Sequence, residues 1–131
     1  MALLIDALWC LISSDEDSTP ESRKLNTELA DYLSTRPDQI IVATNARWDR
    51  WQKIRELISA YSFEYHSMDN IVPKTDPEYW AHLLMYYGLQ PEECFYLDHS
   101  EENLDTAAEL EIEGELFVNN RQEVSIFRKR R

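Results

Sequence analysis

Short, wholly apolar runs alternate with stretches of helical periodicity along the chain. Leu3-Leu4-Ile5 leads without interruption to Asp6, and a run apolar on every residue reads as a parallel strand buried on both faces. Such a strand, over residues 2–7, carries Asp6 to its C-terminal tip, the edge where open α/β sheets place their ligands. Ile40-Ile41-Val42-Ala43 repeats the pattern and ends at Thr44-Asn45. A shorter strand is expected at 63–66, a fourth at Cys94-Phe95-Tyr96-Leu97 ending at Asp98, and a fifth at Leu116-Phe117-Val118.

Between these runs the apolar positions recur at helical spacing. Ser18 or Thr19 is placed to cap a helix with Pro20 and Glu21 in its first turn and Leu25, Leu29 and Leu33 on its buried face. Trp51, Ile54, Leu57 and Ile58 form the face of a second helix, with Trp48 at the rim of a site or partner surface. Asp76-Pro77-Glu78 announces a third helix, which packs Trp80, Leu83, Leu84 and Tyr87 before Gly88 stops it. Ser100 caps a fourth, with Glu101 and Glu102 in its first turn and Leu104, Ala107 and Ala108 turned inward. Residues 121–130 are expected to be a fifth helix. Five strand–helix units give an α/β three-layer sandwich around a Rossmann-like parallel sheet of about five strands, order 3-2-1-4-5.

Composition narrows the picture. At 131 residues and 44% hydrophobic, the chain suits one domain, 1–131, with a continuous core. Two glycines and five prolines leave little room for flexible linkers. The net charge of −12 is uneven: five of the 13 basic residues fall in the last eleven positions, leaving 8 basic against 24 acidic in residues 1–120. That body repels a phosphate backbone, which argues against nucleic acid as a partner. The terminal Arg128 to Arg131 reads as a solvated helix end whose cations complement the helix dipole. Residues 2–12 lack a basic leader and a cleavage site, no run is long enough to span a bilayer, and Cys10 and Cys94 sit in core-like contexts. A cytoplasmic protein with reduced cysteines is expected.

Residue types with chemistry recur at the strand ends: Asp6, Thr44-Asn45, Lys74 and Asp98. In a doubly wound sheet these ends share one edge, so the four positions can converge on one crevice. Their order, with Ile41-Val42-Ala43-Thr44-Asn45, Pro73-Lys74-Thr75-Asp76-Pro77-Glu78-Tyr79 and the stretch from Phe95 to Ala108, resembles the haloacid dehalogenase superfamily, whose members are mostly magnesium-dependent phosphatases. The resemblance implies Asp6 as nucleophile, Thr44 as hydroxyl donor to a phosphoryl oxygen with Asn45 nearby, and Lys74 as the cation shared by carboxylate and phosphate. It further implies Mg²⁺ held by Asp6, Asp98 and the Leu8 main-chain carbonyl, with Glu102 as a water-mediated addition.

Departures from the pattern carry equal weight. Leu8 stands where the family's second aspartate protonates the leaving group and activates water, and leucine does neither. Loss of a positioned general acid/base costs on the order of 10²–10⁴ in rate. Trp9 and Cys10 replace a small Gly-Thr pair, so Trp9 lines or fills the substrate pocket, and His99 replaces a second metal-side carboxylate. His99 is a candidate replacement acid/base, although it follows a different strand from Leu8. His66 and His82 lack metal-ligand spacing and take no role in this reading. The intervals between motifs are too short for a separate cap domain, so an open site is expected. Two functions compete: a slow phosphate-monoester phosphatase acting on a phosphorylated small molecule or macromolecule, and an inactive module that binds a partner protein, a second copy or a phosphorylated ligand.

Overall fold

The computed structural model describes residues 1–7, 10–13 and 24–118. β1 (Ala2–Asp6), β4 (Gln39–Ala43), β5 (Glu64–His66), β6 (Cys94–Asp98) and β7 (Glu113–Leu116) form a five-stranded sheet in the order β5-β4-β1-β6-β7. All four pairings are parallel, so the sheet has the expected 3-2-1-4-5 order. β1, the central strand, and β6 beside it are buried at every residue, which is why their sequences show no alternation.

Helices cover both faces. α1 (Thr27–Ser34) and α2 (Trp48–Leu57) pack Leu29, Leu33 and Ile54 against Leu3, Ile5 and Val42. On the opposite face α3 (Pro77–Tyr87) and α4 (Glu101–Ala108) bring Tyr79, Trp80, Leu83 and Ala107 onto Leu4, Ile41 and Tyr96. Asp76 caps α3 by accepting from the Glu78 amide at 3.0 Å, and Gly88 ends it with φ +64°, a left-handed geometry that costs glycine little. Ser100 caps α4 through the Asn103 amide at 3.3 Å.

The structure departs from the sequence reading in three places. The first helix begins at Thr27, capped by the Asn26 side chain, which accepts from the Leu29 amide at 3.2 Å. Leu25 leaves that helix face and pairs with Ile12 in a small antiparallel ladder of β2 (Ile12–Ser13) and β3 (Lys24–Leu25). Strands of two residues carry no periodic signal, so this ladder was invisible in the pattern. The fifth strand is Glu113–Leu116 instead of 116–118, because an edge strand of exposed Glu113, Gly114 and Glu115 needs backbone pairing more than apolar side chains. Gly114 is required there: a Cβ would lie 2.6 Å from the Tyr96 carbonyl oxygen. On α4 the buried face is Asn103, Thr106 and Ala107, while Ala108 is exposed. The expected Ser18/Thr19 cap, the last helix at 121–130 and the basic tail lie outside the described residues, as do Leu8, Trp9 and the side chains of Trp48 and Trp51.

Candidate active site

Parallel register sets the strand tips side by side. Ala43 is paired with Asp6 and His66 with Ala43, while Leu97 is paired with Ile5, so Asp6, Thr44 and Asp98 emerge from neighbouring strands at one edge. Lys74 reaches them from the loop between β5 and α3. Its backbone is pinned first: its amide donates to Asn45 Oδ1 at 2.8 Å, and its carbonyl accepts from Trp80 Nε1 at 2.9 Å. With the main chain held, Lys74 Nζ donates to Asp6 Oδ1, to Asp98 Oδ2 at 2.9 Å and to the Ala43 carbonyl at 3.2 Å. Asp6, Lys74 and Asp98 are all buried, at 4%, 2% and 0% exposure, so this is an ion cluster without water to screen it.

Thr44 and Asn45 are brought to the same edge. Thr44 Oγ1 accepts from the Ala46 amide at 3.0 Å and retains its own hydrogen to donate. It does not cap α2, whose N-cap is Arg47. The Thr44 carbonyl accepts from the Tyr79 hydroxyl at 3.1 Å, and the same hydroxyl lies 2.7 Å from the His66 carbonyl. Tyr79 thus ties the ends of β4 and β5 together beneath the site. Glu102 is not drawn in: it is exposed in the first turn of α4, and no contact among the described residues joins its carboxylate to Asp6, Lys74 or Asp98.

Further residues shape the site, and two of them, Tyr96 and Asn103, were not singled out from sequence. Tyr96, two positions before Asp98 on the same sheet face, donates its hydroxyl to Asp98 Oδ2. Asn103 Nδ2 donates to the same oxygen at 3.1 Å, and the Ser100 amide to Oδ1 at 2.9 Å. A polar residue on the inward face of α4 was the available signal for Asn103. His99, 93 residues from Asp6 in sequence, places Nδ1 2.7 Å from Asp6 Oδ2 and 3.2 Å from Asp98 Oδ1. Cys10, in the turn after β1, lies beside them, its sulfur accepting from the His99 backbone.

These contacts set the two carboxylates apart. Burial raises the Asp6 pKa, and the Lys74 charge and the His99 bond offset that only in part. Asp98 is also buried, but Lys74, Tyr96 and the Ser100 amide outweigh burial and hold its pKa below the ordinary value. Burial alone would lower the Lys74 pKa; the Asp6 and Asp98 charges reverse this and raise it, so Lys74 is a fixed cation. His99 is raised by its bond to Asp6 first, against a smaller opposing effect of burial. A pair of carboxylates with divided pKa values, one firmly ionised and one less so, is a recurrent active-site arrangement.

No known family profile matches the chain, and no curated protein does. Solved structures do. A HAD family enzyme from Bacteroides thetaiotaomicron, in a complex with magnesium and inorganic phosphate, superposes with a TM-score of 0.79 at 16% identity, covering 94% of this chain and 98% of that one. A predicted HAD-like family hydrolase from Porphyromonas gingivalis gives 0.71 at 16% identity over 99% and 97% of the two chains. A HAD-superfamily hydrolase of subfamily IA from Geobacter sulfurreducens gives 0.69 at 14% over 95% of each. The chain therefore shares the fold of these HAD-family structures, as the strand-end motifs anticipated.

Proposed function

We propose that this chain, built on the HAD-like hydrolase fold, is a phosphate-monoester phosphatase of the aspartyl-phosphate type, limited in rate at proton transfer. The observation that carries the reading is the buried Lys74 ammonium held between the Asp6 and Asp98 carboxylates at the C-terminal edge of the sheet. Asp6, central among the strand tips, attacks phosphorus and forms an acyl phosphate, dividing one displacement into two. Lys74 keeps Asp6 aligned and offsets the charge of the incoming phosphoryl group. Thr44 donates its hydroxyl to a phosphoryl oxygen, and Asn45 fixes the Lys74 loop through its side-chain oxygen.

Asp6 Oδ2 and Asp98 Oδ1 face a common point, which the His99 ring nitrogen fills here. The carboxylates present therefore fit a small cation, in keeping with the magnesium bound by the Bacteroides neighbour. Asp6 and Asp98 would hold Mg²⁺ with the Leu8 carbonyl. When bound, the ion neutralises charge that develops on the transferring group. His99, with a side chain 41% exposed, exchanges its bond to Asp6 for solvent when phosphate enters.

Leu8 supplies no proton to the departing oxygen, so substrates with good leaving groups, such as aryl phosphates, are turned over in preference to alkyl ones. The test is Mg²⁺-dependent hydrolysis of an aryl phosphate by wild type, Asp6→Asn and Leu8→Asp. Turnover that vanishes in Asp6→Asn and rises about 10²-fold or more in Leu8→Asp supports the reading. Inert wild type with active Leu8→Asp makes the chain a binding module on an intact scaffold. Inertness of both overturns the phosphoryl-transfer reading.

A further inference from the structure

Cys10 takes no part in the chemistry above and His99 only moves aside in it, yet both approach Asp6. One ligand atom from each of Asp6, Cys10 and His99 lies within 4.8 Å of the others. They come from the tip of β1, the turn after it and the residue after β6, so tertiary packing and not a local turn assembles them. Four-coordinate ligands 2.0–2.3 Å from an ion stand about 3.3–3.8 Å apart, so closing these side chains onto one ion takes movements on the order of 1 Å. We propose that Asp6, Cys10 and His99 form a site for a borderline divalent transition ion of the Zn²⁺ and Co²⁺ class, bound in preference to Mg²⁺.

Donor chemistry and charge both support this. Thiolate and imidazole suit Zn²⁺ and Co²⁺, whereas Mg²⁺ selects oxygen and gains little from sulfur or nitrogen. Asp6, Asp98 and Lys74 leave the buried cluster one negative charge in excess when His99 is neutral. A divalent ion with one thiolate adds a single positive charge and cancels that excess. The Cys10 side chain is buried, at 2% exposure, in the turn that follows Asp6. Coordination releases the proton and gives this sulfur a role. Three protein ligands leave a fourth position open, as in catalytic zinc sites.

The proposal stands on the three donors and not on the phosphoryl-transfer reading, so a protein inert toward phosphates leaves it intact. Co²⁺ is added to the full chain under anaerobic, reducing conditions and followed by absorption. A sulfur-to-cobalt charge-transfer band is expected in wild type and in Cys94→Ser, whose cysteine lies at the opposite end of the sheet. It is lost in Cys10→Ser. His99→Ala weakens Co²⁺ and Zn²⁺ binding about 10- to 100-fold. Zn²⁺ bleaches the band, and equal Mg²⁺ leaves it. A band that is absent from wild type, persists in Cys10→Ser or is bleached equally by Mg²⁺ overturns the proposal. So does His99→Ala affinity within about twofold of wild type. Should Cys10→Ser not fold, X-ray absorption of Zn²⁺-loaded wild type decides: one sulfur about 2.3 Å from zinc is expected, and a first shell of oxygen and nitrogen alone refutes the site.

Discussion

Replacing Lys74 by methionine keeps the length of the side chain and removes its charge. In the wild type, Lys74 Nζ bonds Asp6 Oδ1, Asp98 Oδ2 and the Ala43 carbonyl, and none of the residues Asp6, Lys74 and Asp98 is more than 4% exposed. Without the ammonium, two buried carboxylates face each other with only His99, Tyr96, Asn103 and the Ser100 amide to answer them. Removing one partner of a buried ion pair costs about 3–5 kcal/mol, a large share of the roughly 5–15 kcal/mol that stabilises a domain. Both carboxyl pKa values then rise above their unfolded values, so the folded variant binds more protons than the unfolded one, and its stability increases as pH falls toward about 4. Wild-type Asp98 behaves oppositely: its lowered pKa contributes stability above the unfolded value that is lost as pH falls. Urea unfolding of both proteins at pH 7.5 and pH 5.5 should therefore show a gap of about 3–5 kcal/mol that narrows at the lower pH, with unchanged denaturant dependence. Adding Asp6→Asn to Lys74→Met should recover about 1–3 kcal/mol, since the two sites interact directly. A gap below about 1 kcal/mol, or one that widens on acidification, refutes the account of Lys74 as the counter-ion of two buried anions.

His66 is buried, with its ring against Tyr79 and against His82, and burial followed by the His82 charge lowers its pKa to about 4. Its neutral form is fully stabilising above the unfolded value of about 6.5, and as pH falls from about 6.5 to about 4 roughly 3 kcal/mol is lost, a loss that unfolding curves of His66→Gln should lack. The two glycines should respond differently to alanine. Gly114→Ala drives a Cβ into the Tyr96 carbonyl and Leu104 and should cost about 1–3 kcal/mol in thermal unfolding. Gly88→Ala meets no atom within 4 Å and should cost only the left-handed backbone penalty of about 1 kcal/mol. Asn103→Ala removes one donor from ionised Asp98 and should destabilise by about 1–3 kcal/mol, read by urea unfolding at pH 7, where leaving Asp98 unchanged in stability would assign that bond no weight.

Much of the fold was legible because its central signals are local. A strand buried on both faces must be apolar throughout, as Ala2–Ile5 and Cys94–Leu97 are, and α3 carries both its start at Asp76-Pro77 and its stop at Gly88 in the sequence. Legibility failed where a signal was short or supplied by backbone pairing. The Ile12–Ser13 and Lys24–Leu25 ladder is too short for any period, and Glu113–Leu116 is a strand because β6 offers it hydrogen bonds. The candidate site divides in the same way: Asp6, Thr44, Lys74 and Asp98 are strand-end or loop residues of telling type, whereas Tyr96 and Asn103 read as ordinary core and helix positions until the fold aims them at Asp98.

By itself the sequence determined which major elements form, that a carboxylate closes the first and fourth major strands, and that an apolar leucine follows the first of them two residues on. These follow from hydrophobic period and residue chemistry, which are properties of neighbours along the chain. Only the tertiary structure decided that Lys74 is sealed between two anions, that His99 reaches back 93 residues to Asp6, and that Cys10 lies beside them both. Those outcomes depend on strand register and on desolvation, and both are set when the sheet closes around charges that the linear pattern leaves far apart.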